Sequence, residues 1–593
     1  KYVAGLWSQQ GTVRVKYIVM ATDGVHFVAF RPRTQLDPGQ EVPPNQVELD
    51  PIDELSIRDA HPGQVFVWLD RYVIFRTRRS ATSTTISEEF GLGRSAYGDT
   101  INLLEAAWRD QPHQTLFEQW ASYLRIVYGS RVESEDLFLR HAYLATLAKI
   151  MAYATMTGGA LPVTDKEITR ILDGDVFAKD WGIHNFLEEH FFSWVGRTEQ
   201  GIEATRIMLE RIDNYDLTEI NEDILKGLYQ ELVDAKERHD LGEYYTPDWL
   251  AEHIVAETLT DPRIAVLDPA CGSGTFLAAA IRAKKLKLSS EMAPNVLLDK
   301  IFATVRGIDV HPLAVLMART TYLLSIGTDL LSKRVGLVSI PVYMADSIRL
   351  PEETQANLHG IDCVKISANG LDLMIPTAFT RDPGISDPAI DVANEYAEIM
   401  ARDERPGLGA FLNELLQNDQ LKKALADNGT YANIFFELAE KLASLIKRGE
   451  DTIWAFILKN KYKPLFLSER KVGLLVGNPP WLSYRYVESA DYQNFLKLAI
   501  VSEHRLLQTA NVELMTQMEL GTLFFVRAAS LYLERGGTIA FVLPRSVFNA
   551  GQHDNFRKQT FVPALHITKI IDLRKVKPLF EVPACVVFAT KEQ

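Results

Sequence analysis

Val266-Leu267-Asp268-Pro269-Ala270-Cys271-Gly272-Ser273-Gly274-Thr275-Phe276-Leu277 is the stretch on which the fold turns. A short apolar run ends in an acid, passes through small residues and enters a helical pattern. Gly272 and Gly274 permit positive φ and close backbone approach. The helix that follows presents free N–H groups to a ligand. From about residue 241 onward, short apolar runs alternate with helical stretches, at 264–267, 276–286, 305–310, 313–324 and 337–344. That alternation predicts βαβα units and a parallel sheet. It breaks near 351. Residues 351–470 read as an irregular piece followed by an amphipathic helical region such as 434–446. Strands resume at 471–476, 538–543, 567–573 and 585–590.

The turn selects its ligand. A dinucleotide site wants G-x-G-x-x-G and an acid about 20 residues on. Here Leu277 stands at the third glycine, and the next acid at a strand end is Asp309, 41 residues after Asp268. An acid at the strand end repels a pyrophosphate and suits a cationic amine. S-adenosyl-L-methionine carries an amine and a sulfonium and no phosphate.

Aspartate 268 and the residues after it, DPACGSGTFL, resemble motif I of amino-group DNA methyltransferases. The resemblance implies that Asp268 faces the methionine amine, and that Pro269, Ala270, Cys271, Gly272, Ser273, Gly274, Thr275 and Phe276 form the cofactor loop. It implies further that Asp309, in Gly307-Ile308-Asp309-Val310-His311-Pro312, holds the ribose hydroxyls. By the same resemblance Asp346, in Met344-Ala345-Asp346-Ser347, is expected to accept from the adenine amine. Each acid alone also reads as a helix N-cap. Upstream, Tyr245-Thr246-Pro247 resembles motif X, which covers the methionine end. Thr246 before Pro247 and Trp249 also reads as the cap of a helix.

Leu474-Leu475-Val476-Gly477-Asn478-Pro479-Pro480-Trp481 is the second constellation. Two prolines cannot continue a ladder, so the chain must leave the sheet there. It resembles motif IV of enzymes that methylate planar exocyclic amines. The lone pair of such an amine is delocalised into its ring. An amide oxygen (Asn478) and a backbone carbonyl made rigid by its own proline (Pro479, followed by Pro480) accept its two N–H bonds and draw the nitrogen toward tetrahedral geometry. Trp481 offers a stacking face for the base, which must first leave the duplex. Phe580 is a candidate second face. Asn rather than Ser at 478 favours adenine N6 over cytosine N4. After Gly536-Gly537, a strand ending at Pro544 and a basic helix with Arg557 resemble the motif that follows.

The motif order X, I, IV resembles the gamma group of N6-adenine DNA methyltransferases, of the large type found in fused restriction-modification or phage-defence systems. The expected fold is α/β, a Rossmann-like S-adenosylmethionine-dependent methyltransferase sheet over 241–593 with a mostly helical insertion at 351–470. A helical connector over 96–240 and a β-rich region over 1–95 precede it. In the latter, Tyr17 to Phe30 reads as a hairpin about Asp23-Gly24 and is like the late strands of a nuclease-type domain. No Asp…Glu-x-Lys set stands in 1–95. In the connector, Leu139, Tyr143, Leu144, Leu147, Ile150 and Met151 fall on one helix face. Phe191, Phe192 and Trp194 mark a buried segment, and 199–238 predicts two more helices.

Composition narrows the partners. With 63 Lys and Arg against 77 Asp and Glu, the formal charge is −14, which excludes a coating nucleic-acid binder. Two local basic clusters stand out, Arg282 with Lys284, Lys285 and Lys287, and Arg574 with Lys575 and Lys577. Three cysteines, Cys271, Cys363 and Cys585, build neither a disulfide framework nor a zinc site. No metal, no membrane span and a cytoplasmic location are expected. The chain opens on Lys1, which suggests numbering that begins inside a longer protein. A target-recognition domain of the usual size does not fit after the last strands and is expected to be missing, swapped or on a partner; the expected partners are double-stranded DNA and defence-system subunits or a separate target-recognition domain. The competing functions are the methyltransferase part of a bifunctional restriction endonuclease, a protein or RNA amide or amine methyltransferase, and a noncatalytic subunit.

Overall fold

The computed structural model describes all residues except 9–16, 35, 37–39, 59, 61–64, 66, 67, 70, 71, 73–77, 111–113, 129–133, 160, 163, 188–190, 219, 221, 234–244, 352–355, 369, 403, 428, 449–453, 488, 578, 581 and 593. The N-terminal hairpin forms. β1 (Val19–Thr22) and β2 (His26–Arg33) pair antiparallel about Gly24 at φ 89°, and β3 (Glu48–Ser56) adds to β2. Asp23 accepts from the N–H groups of Val25 and His26, which closes the turn.

A short helix, Tyr2–Ser8, precedes the hairpin, and the helical region opens at Ser83–Phe90, earlier than the periodicity suggests. A two-stranded parallel ladder, β4 (Arg79–Ser80) with β5 (Tyr215–Asp216), ties the start of that region to its far end. The long helix α1 (Glu135–Met156) is capped by the Ser134 side chain. The sequence predicts one buried face for it. In the structure every residue from Leu137 to Thr155 is buried except Arg140. The reason is packing on several sides, by Pro312–Ile326 of the sheet domain among others, so periodicity understates its burial. Two helices do follow at 199–238, Glu199–Ile212 and α2 (Ile224–Leu232).

The large sheet holds seven strands: β6 (Val266–Asp268), β7 (Val305–Asp309), β8 (Val342–Met344), β12 (Val472–Gly477), β13 (Leu533–Pro544), β14 (Leu565–Asp572) and β15 (Ala584–Lys591). Across the sheet their order is β14-β15-β13-β12-β6-β7-β8. Six run in one direction, and β15 enters antiparallel between β13 and β14. Both faces are covered, as a parallel sheet requires. Leu474, Val476, Val266 and Val542 point into a core shared with α1, α4 (Thr275–Leu288) and α5 (Pro312–Ile326). Leu475, Leu267, Phe541 and Leu543 point the other way, against α8 (Leu520–Tyr532).

The segment 351–470 is more regular than its sequence suggests. It opens with an antiparallel sheet, β9 (Ala356–Leu358), β10 (Ile361–Ala368) and β11 (Leu371–Pro376), with pairing along β10. Its helices, among them α6 (Pro383–Ala401) and α7 (Thr430–Lys447), complete a separate core around Phe379, Phe411 and Phe435. No helix among the described residues is long and apolar enough to cross a membrane.

Candidate active site

The strand order reverses between β6 and β12. From β6 the chain builds outward to β7 and β8, and later returns to place β12 on the other side. Ligands of open α/β sheets bind at such a switch point, beyond the carboxyl ends of the strands. Both motifs lie there.

On the β6 side, Asp268 ends the strand and its Oδ1 accepts from the Ala270 N–H at 3.1 Å. The Cys271 N–H donates to the Ile308 carbonyl at 2.9 Å, which anchors the turn to β7. Gly272 at φ 52° and Gly274 at φ 95° occupy the left-handed region. A Cβ on Gly274 would sit 3.1 Å from Ala318 Cα of α5, so the turn lies close on that helix. Pro269, Cys271, Ser273, Thr275 and Phe276 are buried; Ala270 and Gly272 are half-buried. Burial pushes the Cys271 thiol well above its usual value, so it stays protonated.

The two flanking acids hold turns as well as pointing at the site. Asp309 ends β7 and accepts from the Gly272 N–H at 2.8 Å and the His311 N–H at 2.9 Å. It thereby pins the motif I turn to the next strand. Asp346 follows β8; its Oδ1 accepts from Ile348 and Arg349, each at 3.0 Å, and its Oδ2 from the Tyr492 hydroxyl at 2.8 Å. Burial raises the carboxyls of Asp268, Asp309 and Asp346, that of Asp268 well above the carboxylate range. Acids of this kind at one rim, Asp268 buried and Asp309 and Asp346 half-buried, are what a cationic ligand with hydroxyl and amine donors would relieve. The residues present thus fit S-adenosyl-L-methionine.

Tyr245 stands over the turn. A Cβ on Gly272 would lie 3.6 Å from its Cε1. Thr246 is buried, but its side chain does not cap a helix. The helix α3 (Asp248–Thr258) starts after Pro247 with no side-chain cap bond. Residues 241–244 of the same motif lie outside the described residues.

On the β12 side, Gly477 ends the strand and Asn478-Pro479-Pro480-Trp481 leaves the sheet. The two motifs meet directly. A Cβ on Gly477 would fall 2.6 Å from Asp268 Oδ1. Asn478 is half-buried and Pro479 buried. Trp481 is only 7% exposed; its Nε1 donates to the Val542 carbonyl at 3.4 Å. Phe580 meets it edge-on with ring centroids 5.1 Å apart. Phe580 belongs to the loop 573–583, closed at its base by the Leu573 N–H on the Ala584 carbonyl.

A buried polar group behind Trp481 carries no motif. Glu519 precedes α8 and pairs by a bridge with Ser483 of the acceptor loop. Its carboxylate accepts from His553 Nε2 at 2.5 Å, Ser546 Oγ at 2.7 Å and Gln552 Nε2 at 3.1 Å. Burial would raise this carboxyl; the bonds from His553, Ser546 and Gln552 outweigh it and hold it below its usual value. Asp223 and Lys226, also unmarked by any motif, reach the cofactor turn from the helical region. An Asp before an apolar run announces a helix start and nothing more.

The first basic cluster is structural. Lys284 donates to the Pro262 and Ile264 carbonyls, Lys285 to those of Ser325 and Ile326, Lys287 to that of Leu259, and Arg282 pairs with Glu252. These cations are spent on helix-end and loop carbonyls and on Glu252. Arg557 likewise donates to the Val547 and Ala550 carbonyls. The second cluster is different: Arg574, Lys575 and Lys577 are exposed on the Phe580 loop.

Residues 219–336 match the N-6 DNA Methylase family, and residues 303–580 match the Eco57I restriction-modification methylase family. Together the two matches run over 219–580 and mark this region as similar to N6-adenine DNA methylases. Among solved structures, the chain is similar to DrdV in a DrdV–DNA complex, at 12% identity and a TM-score of 0.44, over 97% of this chain and 46% of that one. It is similar to a nuclease-deletion mutant of the Type ISP enzyme LlaGI at 14% identity and a TM-score of 0.38, over 90% and 36%. For a modification subunit of a putative type I restriction enzyme from Vibrio vulnificus YJ016 the figures are 12% and 0.34, over 87% and 83%. The chain spans less than half the length of the first two.

Proposed function

We propose that this methylase transfers a methyl group from S-adenosyl-L-methionine to adenine N6 in DNA, on a base turned out of the duplex, as the modification activity of a restriction-modification or phage-defence system. One observation carries the reading: the Asp268 carboxylate and the Gly477–Asn478 turn abut at the ends of adjacent parallel strands. A cationic cofactor at Asp268 and an amine at Asn478 are thereby neighbours. Bound there, the cofactor supplies an electrophilic methyl group.

The chain's own residues do the rest. Asp268 receives the cofactor amine. Asp309 and Asp346 offer acceptors to hydroxyl and amine donors, and Tyr245, Thr246 and Pro247 cover the turn. Asn478 Oδ1 and the Pro479 carbonyl accept the two N–H bonds of the target amine and free its lone pair. Trp481 and Phe580 flank the base. Phe580 rests against Trp481, so a base entering between them displaces it with its loop. Double-stranded DNA is the partner, with Arg574, Lys575 and Lys577 on that loop facing its backbone.

The test is nucleoside mass spectrometry of unmethylated genomic DNA incubated with the protein and S-adenosyl-L-methionine, beside Asn478→Ala. N6-methyladenine is expected with the wild type, and at least ~10²-fold less with the variant, the scale on which one transition-state hydrogen bond is felt. Cofactor affinity should be unchanged in the variant. N4-methylcytosine would replace the base in this reading, and equal turnover by the variant would remove the acceptor assignment.

A further inference from the structure

A fully buried carboxylate reaches the cofactor turn from outside the sheet. Asp223 is 0% exposed and caps α2, accepting from the Lys226 N–H at 3.3 Å. That bond uses one face of Oδ1. Its Oδ2 accepts from the Ser273 hydroxyl and, at 2.8 Å, from the Thr275 hydroxyl. Thr321 of α5 donates to Oδ1 at 3.4 Å. Ser273 and Thr275 flank Gly274, the left-handed residue from which α4 starts. A cap needs one acceptor, and this carboxylate takes hydroxyls from the cofactor turn as well.

The same turn of chain also holds the cover. Lys226 Nζ donates to the Thr246 carbonyl at 2.9 Å and pairs with Asp248 at 2.5 Å. Asp248 in turn accepts from the Asp223 N–H at 2.9 Å. Lys226 is buried and Asp248 half-buried, so this ion pair is largely screened from solvent on the lysine side. The turn 223–226 therefore grips both sides of the place where the cofactor's methionine end would lie: the motif I turn through Asp223 and Tyr245-Thr246-Pro247 through Lys226. Neither residue need touch the ligand. Their geometry fixes the backbone that does.

We infer that Asp223 and Lys226 are positioning residues for S-adenosyl-L-methionine, so that helix α2 of the helical region completes the cofactor site rather than spacing it from an upstream domain. This rests on the cofactor reading above. A family match that begins at residue 219 agrees with the helix being part of the methylase unit.

The test is cofactor affinity by calorimetry on the full chain, for wild type, Asp223→Ala, Asp223→Asn, Ser273→Ala and the Asp223→Ala/Ser273→Ala double variant, each with its melting temperature. Asp223→Ala should weaken binding about tenfold or more, as loss of hydrogen bonds to a buried charge does. Asp223→Asn, which keeps the shape and an acceptor oxygen, should recover part of it. The double variant should be no weaker than Asp223→Ala alone, because the two share one interaction. Wild-type affinity in Asp223→Ala, or additive losses in the double variant, would overturn the inference. If Asp223→Ala does not fold, the Asp223→Asn and Ser273→Ala variants decide: unchanged affinity in both overturns it. Failure of the wild type to bind would instead remove the cofactor reading itself.

Discussion

Gly477 is the single residue that joins the two halves of the site. The strand must end without a side chain because the Asp268 carboxylate occupies the space a Cβ would take, 2.6 Å away. Gly477→Ala is expected to displace Asp268 and weaken cofactor binding about tenfold or more, with a smaller change in kcat at saturating cofactor; calorimetry and steady-state kinetics check the split. His311 is a second case. Its ring is buried, accepts from the Leu313 and Ala314 N–H groups, and lies 5.2 Å from that of His141. Burial pushes its pKa down to about 3. A folded value below the unfolded one means that stability is fully present above about pH 6.5 and is lost as pH falls toward 3. His311→Asn keeps an N-cap without a titrating ring. The wild type's stability relative to this variant should fall below about pH 6.5 by no more than about 1.4 kcal/mol per pH unit, one proton's worth. Denaturant melts across that range measure it, and a parallel pH dependence in the two proteins would refute it.

Among the elements, loop 573–583 carries the argument about DNA. Phe580 on it touches Trp481, and Arg574, Lys575 and Lys577 on it face solvent. Cations at that place act through phosphate neutralisation and carry no sequence information. Replacing all three with alanine should weaken DNA binding evenly across sequences. It should also flatten the salt dependence by about 0.9 in log–log slope for each phosphate left unneutralised. Titration of DNA at several salt concentrations reads this; an unchanged slope would take the loop off the DNA. Cofactor affinity should stay as in the wild type. The cluster at 282–287 makes the opposite case, since equal charge density there is spent on backbone carbonyls. Cation density along a chain does not say whether a cation faces solvent.

Across the molecule as a whole, the helical region and the sheet share one core. Trp120, Phe138, Leu147 and Tyr229 belong to the same buried cluster as Val266, Phe276, Leu316 and Val542. The aromatic rings of Tyr245, Tyr229, His141 and His311 run in succession from the cofactor cover to the end of β7. A fragment of residues 241–593 would expose this surface. It is expected to lose cooperative unfolding, whereas a fragment beginning at Arg78 keeps it, because the small clusters around Trp7 and Trp68 stand apart. Thermal melts of the two fragments decide between one folding unit and two.

Features legible in the chain before folding are local and repetitive. Strand, small-residue turn and helix at 266–277 can be read there because alternation and glycine placement are properties of neighbouring residues. So can the exit at Asn478-Pro479-Pro480, since proline ends a ladder wherever it stands. The resemblance of two motifs to one family pointed to the chemistry. Folding alone settles what lies far apart in sequence and close in space. Gly477 abuts Asp268. Asp223 reaches Ser273 and Thr275 from 50 and 52 residues away. Thr246 holds Lys226 rather than a helix end, and α1 is buried nearly all round. A lone Asp, Lys or Glu519 carries no periodic signal. Its role comes from the hydroxyls, carbonyls and imidazoles that folding brings to it, and from the desolvation that makes those contacts matter.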